Sequence, residues 1–139
     1  MTSKTVRVTW VKDRQFVGTD SSNHSVVMSS QDEDNATGMK PSDLLLVALG
    51  GCTAYDVVDI LHKKRQRVFG VQVVVEAEQA EEAPWPYRRI HVHYRVRGQD
   101  VRSKAVEDAI ELSESKYCSV AATLRPGVEI SHDFEVLDA

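Results

Sequence analysis

Cysteine is scarce in this sequence: of 139 residues only Cys52 and Cys118 carry a thiol. Neither has a second cysteine nearby, which excludes a CxxC redox motif and the paired spacing of a zinc ribbon. A glycine-rich phosphate loop, a dinucleotide-binding fingerprint and a serine triad are also missing. The N-terminus, MTSKTVRVTW, alternates polar and apolar residues and has no apolar export core. No uncharged apolar run approaches the ~20 residues that cross a bilayer, so no membrane partner is expected. The expected compartment is then the cytoplasm, where structural disulfides are rare and a functional cysteine pair is usually transient or catalytic. A net charge of −4 argues against a general nucleic-acid binder. Repeats, linkers and low-complexity tracts are absent. With 42% hydrophobic and 27% charged residues, the chain reads as one ordinary domain, residues 1–139, able to bury a core without staples.

What is present centres on Met39 to Arg67, the longest helical pattern and the most apolar stretch. Pro41 suits a first helical turn, Ser42 and Asp43 suit its positive end, and His62 to Arg67 suit the other. The interior from Leu44 to Leu61 is apolar on most sides, so burial nearly all round is expected, with a partner subunit as part of the cover. Gly50-Gly51 costs ~1 kcal/mol per glycine relative to alanine. Its place immediately before Cys52 implies a close backbone approach, by another helix or a substrate.

Three short strands precede this helix: Thr5 to Val11, Gln15 to Thr19 and His24 to Ser29. In the first, Val6, Val8 and Trp10 form the face expected to be buried. Residues Ser30 to Met39 read as a surface loop. After the helix come strands at Val68 to Gln79 and Arg88 to Arg97, joined by a loop carrying Trp85 that is expected to pack on a dimer. In the second of these strands Ile90, Val92, Tyr94 and Val96 face the core. A second helix is expected at about Val101 to Tyr117, a helical turn at Ser119 to Leu124, and a last strand at Val128 to Val136. The order predicts α+β architecture with helices on a mostly antiparallel sheet.

Four groups of polar residues carry candidate chemistry. His91 and His93 share one strand face as a possible metal pair, but no third ligand is evident, and a solvated face or subunit contact is the expectation. Asp56 and Asp59 are expected to pair with cations across a dimer. The basic end of the long helix is read as dipole compensation. The two thiols are either core residues or a reactive pair, and a reactive thiol needs a cation or a helix start to lower its pKa. Cys52 gains a helix-start environment only if Gly50-Gly51 breaks the helix.

The run PSDLLLVALGGCTAYDVV, from Pro41 to Val58, resembles the peroxidatic-cysteine helix of the OsmC/Ohr family of organic hydroperoxide reductases. KYCSVAATL resembles the segment bearing that family's second cysteine, and the element order matches along the whole chain. The resemblance implies antiparallel sheets packed on a long central helix in an intertwined homodimer. It also implies a cofactor-free thiol peroxidase. Cys52 would attack an organic hydroperoxide or hydrogen peroxide, Cys118 would resolve the sulfenic acid, and a dithiol reductant of the lipoyl or thioredoxin type would regenerate the pair. The family pairs an arginine after the first strand with a glutamate at the start of the cysteine helix. Arg14 best matches the arginine, with Arg7 and Lys12 behind it. Ser42 stands where the glutamate would be, and Asp43 faces away from Cys52 on an ideal helix. That departure also admits a binding scaffold for a small apolar ligand, or a redox-sensing thiol protein.

Overall fold

The computed structural model describes residues 1–138, which form two compact units, one covering Met1–Leu45 and the other everything from Leu46 onward. The first unit is an antiparallel meander of β1 (Arg7–Lys12), β2 (Gln15–Thr19) and β3 (Ser25–Ser29), with β2 in the middle. Its turns are built from residues that tolerate the left-handed region: Asp13 has φ 46° and Asn23 φ 67°. Asp20 completes the second turn by accepting the N–H groups of Ser22 and His24, each at 2.8 Å. Val6, Val8 and Trp10 were expected to be half-buried, yet each is more than 60% exposed. Alternation orients a face but does not supply a cover, and the first unit by itself places none over it.

Helix α1 (Pro41–Lys63) starts at the expected proline and runs unbroken through Gly50-Gly51, its first turns in the first unit and the rest in the second. The second unit adds β4 (Arg67–Gln79), β5 (Tyr87–Gln99) and β6 (Glu129–Asp138), with β5 central. Strands β4 and β5 form the expected antiparallel hairpin, but β6 pairs with β5 in parallel. The reason is the connection. Helix α2 (Ser103–Leu112), a π turn (Ser113–Tyr117) and α3 (Ser119–Leu124) lie between the two strands, and such a crossover returns the chain to the end it left. The single long helix expected over 101–117 thus stops at Leu112 and widens into the π turn.

The core of this unit is set by periodicity. Leu49, Thr53, Val57 and Leu61 recur every four residues along α1 and are fully buried. They join Ile90, Val92, Tyr94 and Val96, the inward set of β5, and Ala105, Val106, Ala109 and Ile110 of α2. Gly50 lets the helix backbone approach β4, since a Cβ there would stand 3.1 Å from Val75 Cγ2. Within the chain the close approach at Gly50 is made by a strand, and a Cβ on Gly51 would meet nothing within 4 Å. Burial of α1 all round is likewise not reached within the chain, for Val47 is 52% and Tyr55 77% exposed. By length and composition α1 could cross a bilayer, contrary to the expectation that no run is long enough. The core helix of a soluble protein passes the same test, and the buried stripe of α1 belongs to the apolar core of the second unit.

Candidate active site

Cys52 and Cys118 meet in the second unit. Cys52 lies at mid-helix on α1, half-buried and packed against the core, while Cys118 is buried within it. The two thiols lie close enough to interact, although most of the second unit separates them in sequence. Both are free in this structure.

The π turn positions Cys118. Its five-residue hydrogen bond runs from the Cys118 N–H to the Ser113 carbonyl at 2.7 Å, and the extra residue turns the following backbone out of the helix. Ser113, fully buried, donates its hydroxyl to Asp56 Oδ2 on α1 at 2.8 Å. That bond ties the turn to the cysteine helix one turn beyond Cys52. Asp56 therefore serves inside the subunit, and Asp59 pairs with Lys63 at 2.9 Å on its own helix.

Burial pushes the Cys118 thiol up to about 11, and the neighbouring Cys52 thiol adds to the push. The Ala121 N–H, donating to Cys118 Sγ at 3.3 Å, offsets part of it. Cys118 is thus a protonated thiol at neutral pH, a poor first nucleophile. Cys52 is the more accessible of the two.

A polar chain stands beside the thiols that sequence reading did not find. Tyr94 is fully buried, and its hydroxyl donates to Glu114 Oε1 at 3.3 Å. The other carboxylate oxygen, Oε2, lies 2.6 Å from His132 Nδ1. Burial drives the Tyr94 phenol far above its ordinary value, held back by the Thr53 hydroxyl and raised further by the charges of Glu114 and Cys118. Glu114 is fixed from its backbone as well, its carbonyl accepting Arg125 Nη2 at 2.7 Å. Tyr94 was legible only as a core residue. Glu114 carried one local signal, its place four residues before Cys118.

Arg14 lies in the first unit. Together with Phe16, Asp32, Lys40, Pro41 and Ser42 it lines a cavity of about 580 Å³. Asp32 is held below the usual carboxylate range, first by the Ser30 hydroxyl, then by the Asn35 amide at 2.6 Å, with the Arg14 charge contributing. Within this cavity the carboxylate facing the arginine's charge is therefore Asp32, not a helix residue at position 42.

His91 and His93 lie on the β5–β6 ladder. His91 Nε2 and His93 Nδ1 both approach Asp133 Oδ1 at 2.7 Å, Ser131 holds His91 Nδ1 at 2.8 Å, and Glu135 holds His93 Nε2 at 3.2 Å. Among the described residues no three side chains are arranged to hold a metal ion. Asp133, then Glu135, raise His93 above its ordinary 6.5. His93 in turn lowers both carboxylates. A histidine raised in the fold contributes stability below pH about 6.5 and loses it as pH climbs through its folded value. The lowered carboxylates contribute above about pH 4 to 4.5 and lose it on acidification. The ladder is therefore tightest between about pH 4.5 and 6.5. In an NMR titration His93 should protonate above pH 6.5, and Asp133→Asn should bring its midpoint down.

Comparison with known proteins bears on this geometry. A family described as OsmC-like protein matches residues 31–133, a span that includes both cysteines and runs across both units. Protein YhfA of Escherichia coli K12 is 42% identical over 133 residues, covering 96% of this chain and 98% of its own. Among solved structures, the OsmC-like protein from Mycoplasma pneumoniae superposes with a TM-score of 0.84 at 13% identity, covering 98% of both chains. The organic hydroperoxide resistance protein OhrB of Bacillus subtilis superposes with a TM-score of 0.62 at 13% identity, over 96% of this chain and 98% of its own. At those identities the two structures speak for the fold alone.

Proposed function

Since the chain belongs to the OsmC-like family, we propose that it is a thiol-dependent peroxidase that reduces organic hydroperoxides. The observation that carries this reading is the contact between an accessible thiol on the central helix and a buried, protonated one beside it. Cys52, as thiolate, attacks the distal peroxide oxygen. The O–O bond breaks, the alcohol leaves with a proton, and Cys52 becomes a sulfenic acid. Cys118 then forms the disulfide with loss of water, and a dithiol of the lipoyl or thioredoxin type restores both thiols by exchange. Arg14 is the residue that the family resemblance assigns as the activating cation; within its own unit the carboxylate that feels its charge is Asp32, and Ser42 stands where the family has a glutamate.

Proteins of this family are typically homodimers. We extend that to this chain, because Val47 and Tyr55 of α1 and the whole of β1 are uncovered in the single subunit. A second subunit on these surfaces would supply the cover that Val6, Val8 and Trp10 lack. The site calls for no metal or cofactor, and the cytoplasm, with its dithiol reductants, suits the chemistry.

Purified protein mixed with cumene hydroperoxide should lose both thiols for each peroxide reduced, at a rate far above that of free cysteine. Mass spectrometry should find one Cys52–Cys118 disulfide. Consumption no faster than by free cysteine sinks the peroxidase reading. It would leave the binding scaffold, which the serine at position 42 favours.

A further inference from the structure

Ser113 is the junction that joins Cys118 to the cysteine helix. Each of its three polar groups goes to a different neighbour. Its N–H donates to the carbonyls of Ala109 and Ile110 in α2, its hydroxyl donates to Asp56 Oδ2 on α1 at 2.8 Å, and its carbonyl accepts the Cys118 N–H at 2.7 Å. Asp56 in turn lies one helical turn after Cys52, on the same face of α1. Two pairs therefore link the same two segments of the second unit: Asp56 with Ser113, and Cys52 beside Cys118.

Resting on the peroxidase reading, we propose that Asp56 and Ser113 are positioning residues for the resolving step, their hydrogen bond fixing the π turn against α1 so that Cys118 is presented to the oxidised Cys52. Both act through Cys118 and not on the peroxide. With this bond made, the chain is already closed into a ring four residues from Cys52 and five from Cys118. Disulfide formation then needs little further ordering, and a pre-ordered pair of reacting atoms meets faster than a loose one. Speed matters at this step, because a sulfenic acid that waits is open to further oxidation.

Three observations support the assignment. Ser113 is fully buried, where a hydroxyl must have a partner and an alanine would need none. Packing alone is served as well by an apolar pair, so a serine matched to a carboxylate on the cysteine helix does more than fill space. The direction of the bond is the second observation. Glu114 is bound to Tyr94 of β5, to His132 of β6 and, through its carbonyl, to Arg125 beyond α3. Those contacts hold the turn to the sheet and to α3, whereas the Ser113 bond runs to the element that carries Cys52. Third, Cys118 follows wherever Ser113 goes. Its N–H is held by Ser113, its carbonyl accepts the Ala122 N–H at 3.1 Å, and its sulfur accepts the Ala121 N–H at 3.3 Å. Ser115, Lys116 and Tyr117 between them are exposed, so the turn relies on its hydrogen bonds more than on packing.

The test needs no peroxide. The aromatic disulfide 5,5′-dithiobis(2-nitrobenzoate) should cap Cys52 and release one equivalent of coloured thiolate. Cys118 then attacks that cap: its proton goes to solvent, its sulfur bonds to Cys52, and the second aromatic thiolate leaves. The rate of the second release divided by that of the first reads the presentation of Cys118 apart from access to Cys52. Two comparisons cut the bond while the charge at position 56 stays constant. From wild type to Ser113→Ala the carboxylate is kept. From Asp56→Asn to Asp56→Ala it is missing in both, and the asparagine oxygen still accepts the serine hydroxyl. In each comparison the ratio should fall about tenfold, inside the ~10²-fold that a misplacement of ~1 Å can cost. The double variant Asp56→Ala/Ser113→Ala should match Asp56→Ala within about twofold, because both changes remove one bond. A ratio unchanged in Ser113→Ala, equal ratios in Asp56→Asn and Asp56→Ala, or losses that add in the double variant overturns the proposal. Should Ser113→Ala not fold, the two Asp56 variants decide alone. Because the oxidant is a disulfide, none of these outcomes depends on whether hydroperoxides are the substrate, and a failure of the peroxidase assay is read separately.

Discussion

Cys52→Ser should abolish hydroperoxide turnover, a fall on the order of 10³-fold or more, the scale on which removal of a sole nucleophile acts. A serine hydroxyl in the same half-buried position cannot ionise at neutral pH and cannot carry the oxidation state that the sulfur takes up. Cys118→Ser should behave differently. Its first turnover should proceed at the wild-type rate, because the buried thiol is protonated and takes no part in the attack. The sulfenic acid should then persist, react with an added dimedone probe, and pass on to sulfinic acid under excess peroxide. Steady-state turnover in Cys118→Ser should fall with that loss. The pair of results assigns roles: equal loss of the first turnover in both variants would mean that the two thiols act as a unit, and full activity in Cys52→Ser would place the chemistry elsewhere. Peroxide consumption in single-turnover mixing, with mass spectrometry of the products, distinguishes all three.

The largest effect on stability is expected at Gly98, near the end of β5. A Cβ there would stand 2.1 Å from the Arg67 carbonyl oxygen and 2.6 Å from Val101 Cγ2. The first neighbour is backbone, held by the β4–β5 ladder, in which Gly98 pairs with Val68, and it cannot swing aside as a side chain would. Gly98→Ala must therefore force the paired strands apart or bend the start of the crossover. Overpacking of this kind costs about 1–3 kcal/mol and more where backbone must move. We expect about 3 kcal/mol, or a drop of roughly 10 °C in Tm for a chain of this length. Gly127→Ala is the matched control. A Cβ at Gly127 meets nothing within 4 Å, and its φ is not positive, so its Tm should change little. Thermal denaturation of the two variants beside the wild type checks both. Equal Tm values would show that the β4–β5 end yields more easily than its pairing implies.

Much of this fold was legible because its signals are local. Pro41, the acidic start and the basic end marked α1, and the alternation from Ile90 to Val96 marked both the strand and its inward face. The parallel pairing of β6 was not legible, since the alternation of a strand says which face is buried but nothing of its partner or direction. The same limit hid the exposure of β1. The π turn escaped because one added residue barely disturbs helical spacing, while it redirects all that follows. In the site, the cysteines stood out by rarity. Asp32, Glu114 and His132 did not, for each is a common polar residue whose meaning comes from a neighbour distant in sequence. Asp56, expected as a partner for a cation across a dimer, has a contact that its sequence position did not reveal: within the chain it accepts the hydroxyl of a buried serine.

The parallel strand also orders events as the chain folds. The β4–β5 hairpin can close through local contacts, and the central helix precedes it, so the apolar side of Tyr94 can be buried early. Strand β6 must wait for the whole crossover to bridge the sheet, because a non-local pairing bears a larger loop-closure entropy and forms later. His132 arrives with that strand. Until it docks, Glu114 has the phenol but not the imidazole. The polar chain from Tyr94 to His132 is therefore completed last, once the sheet has its third strand.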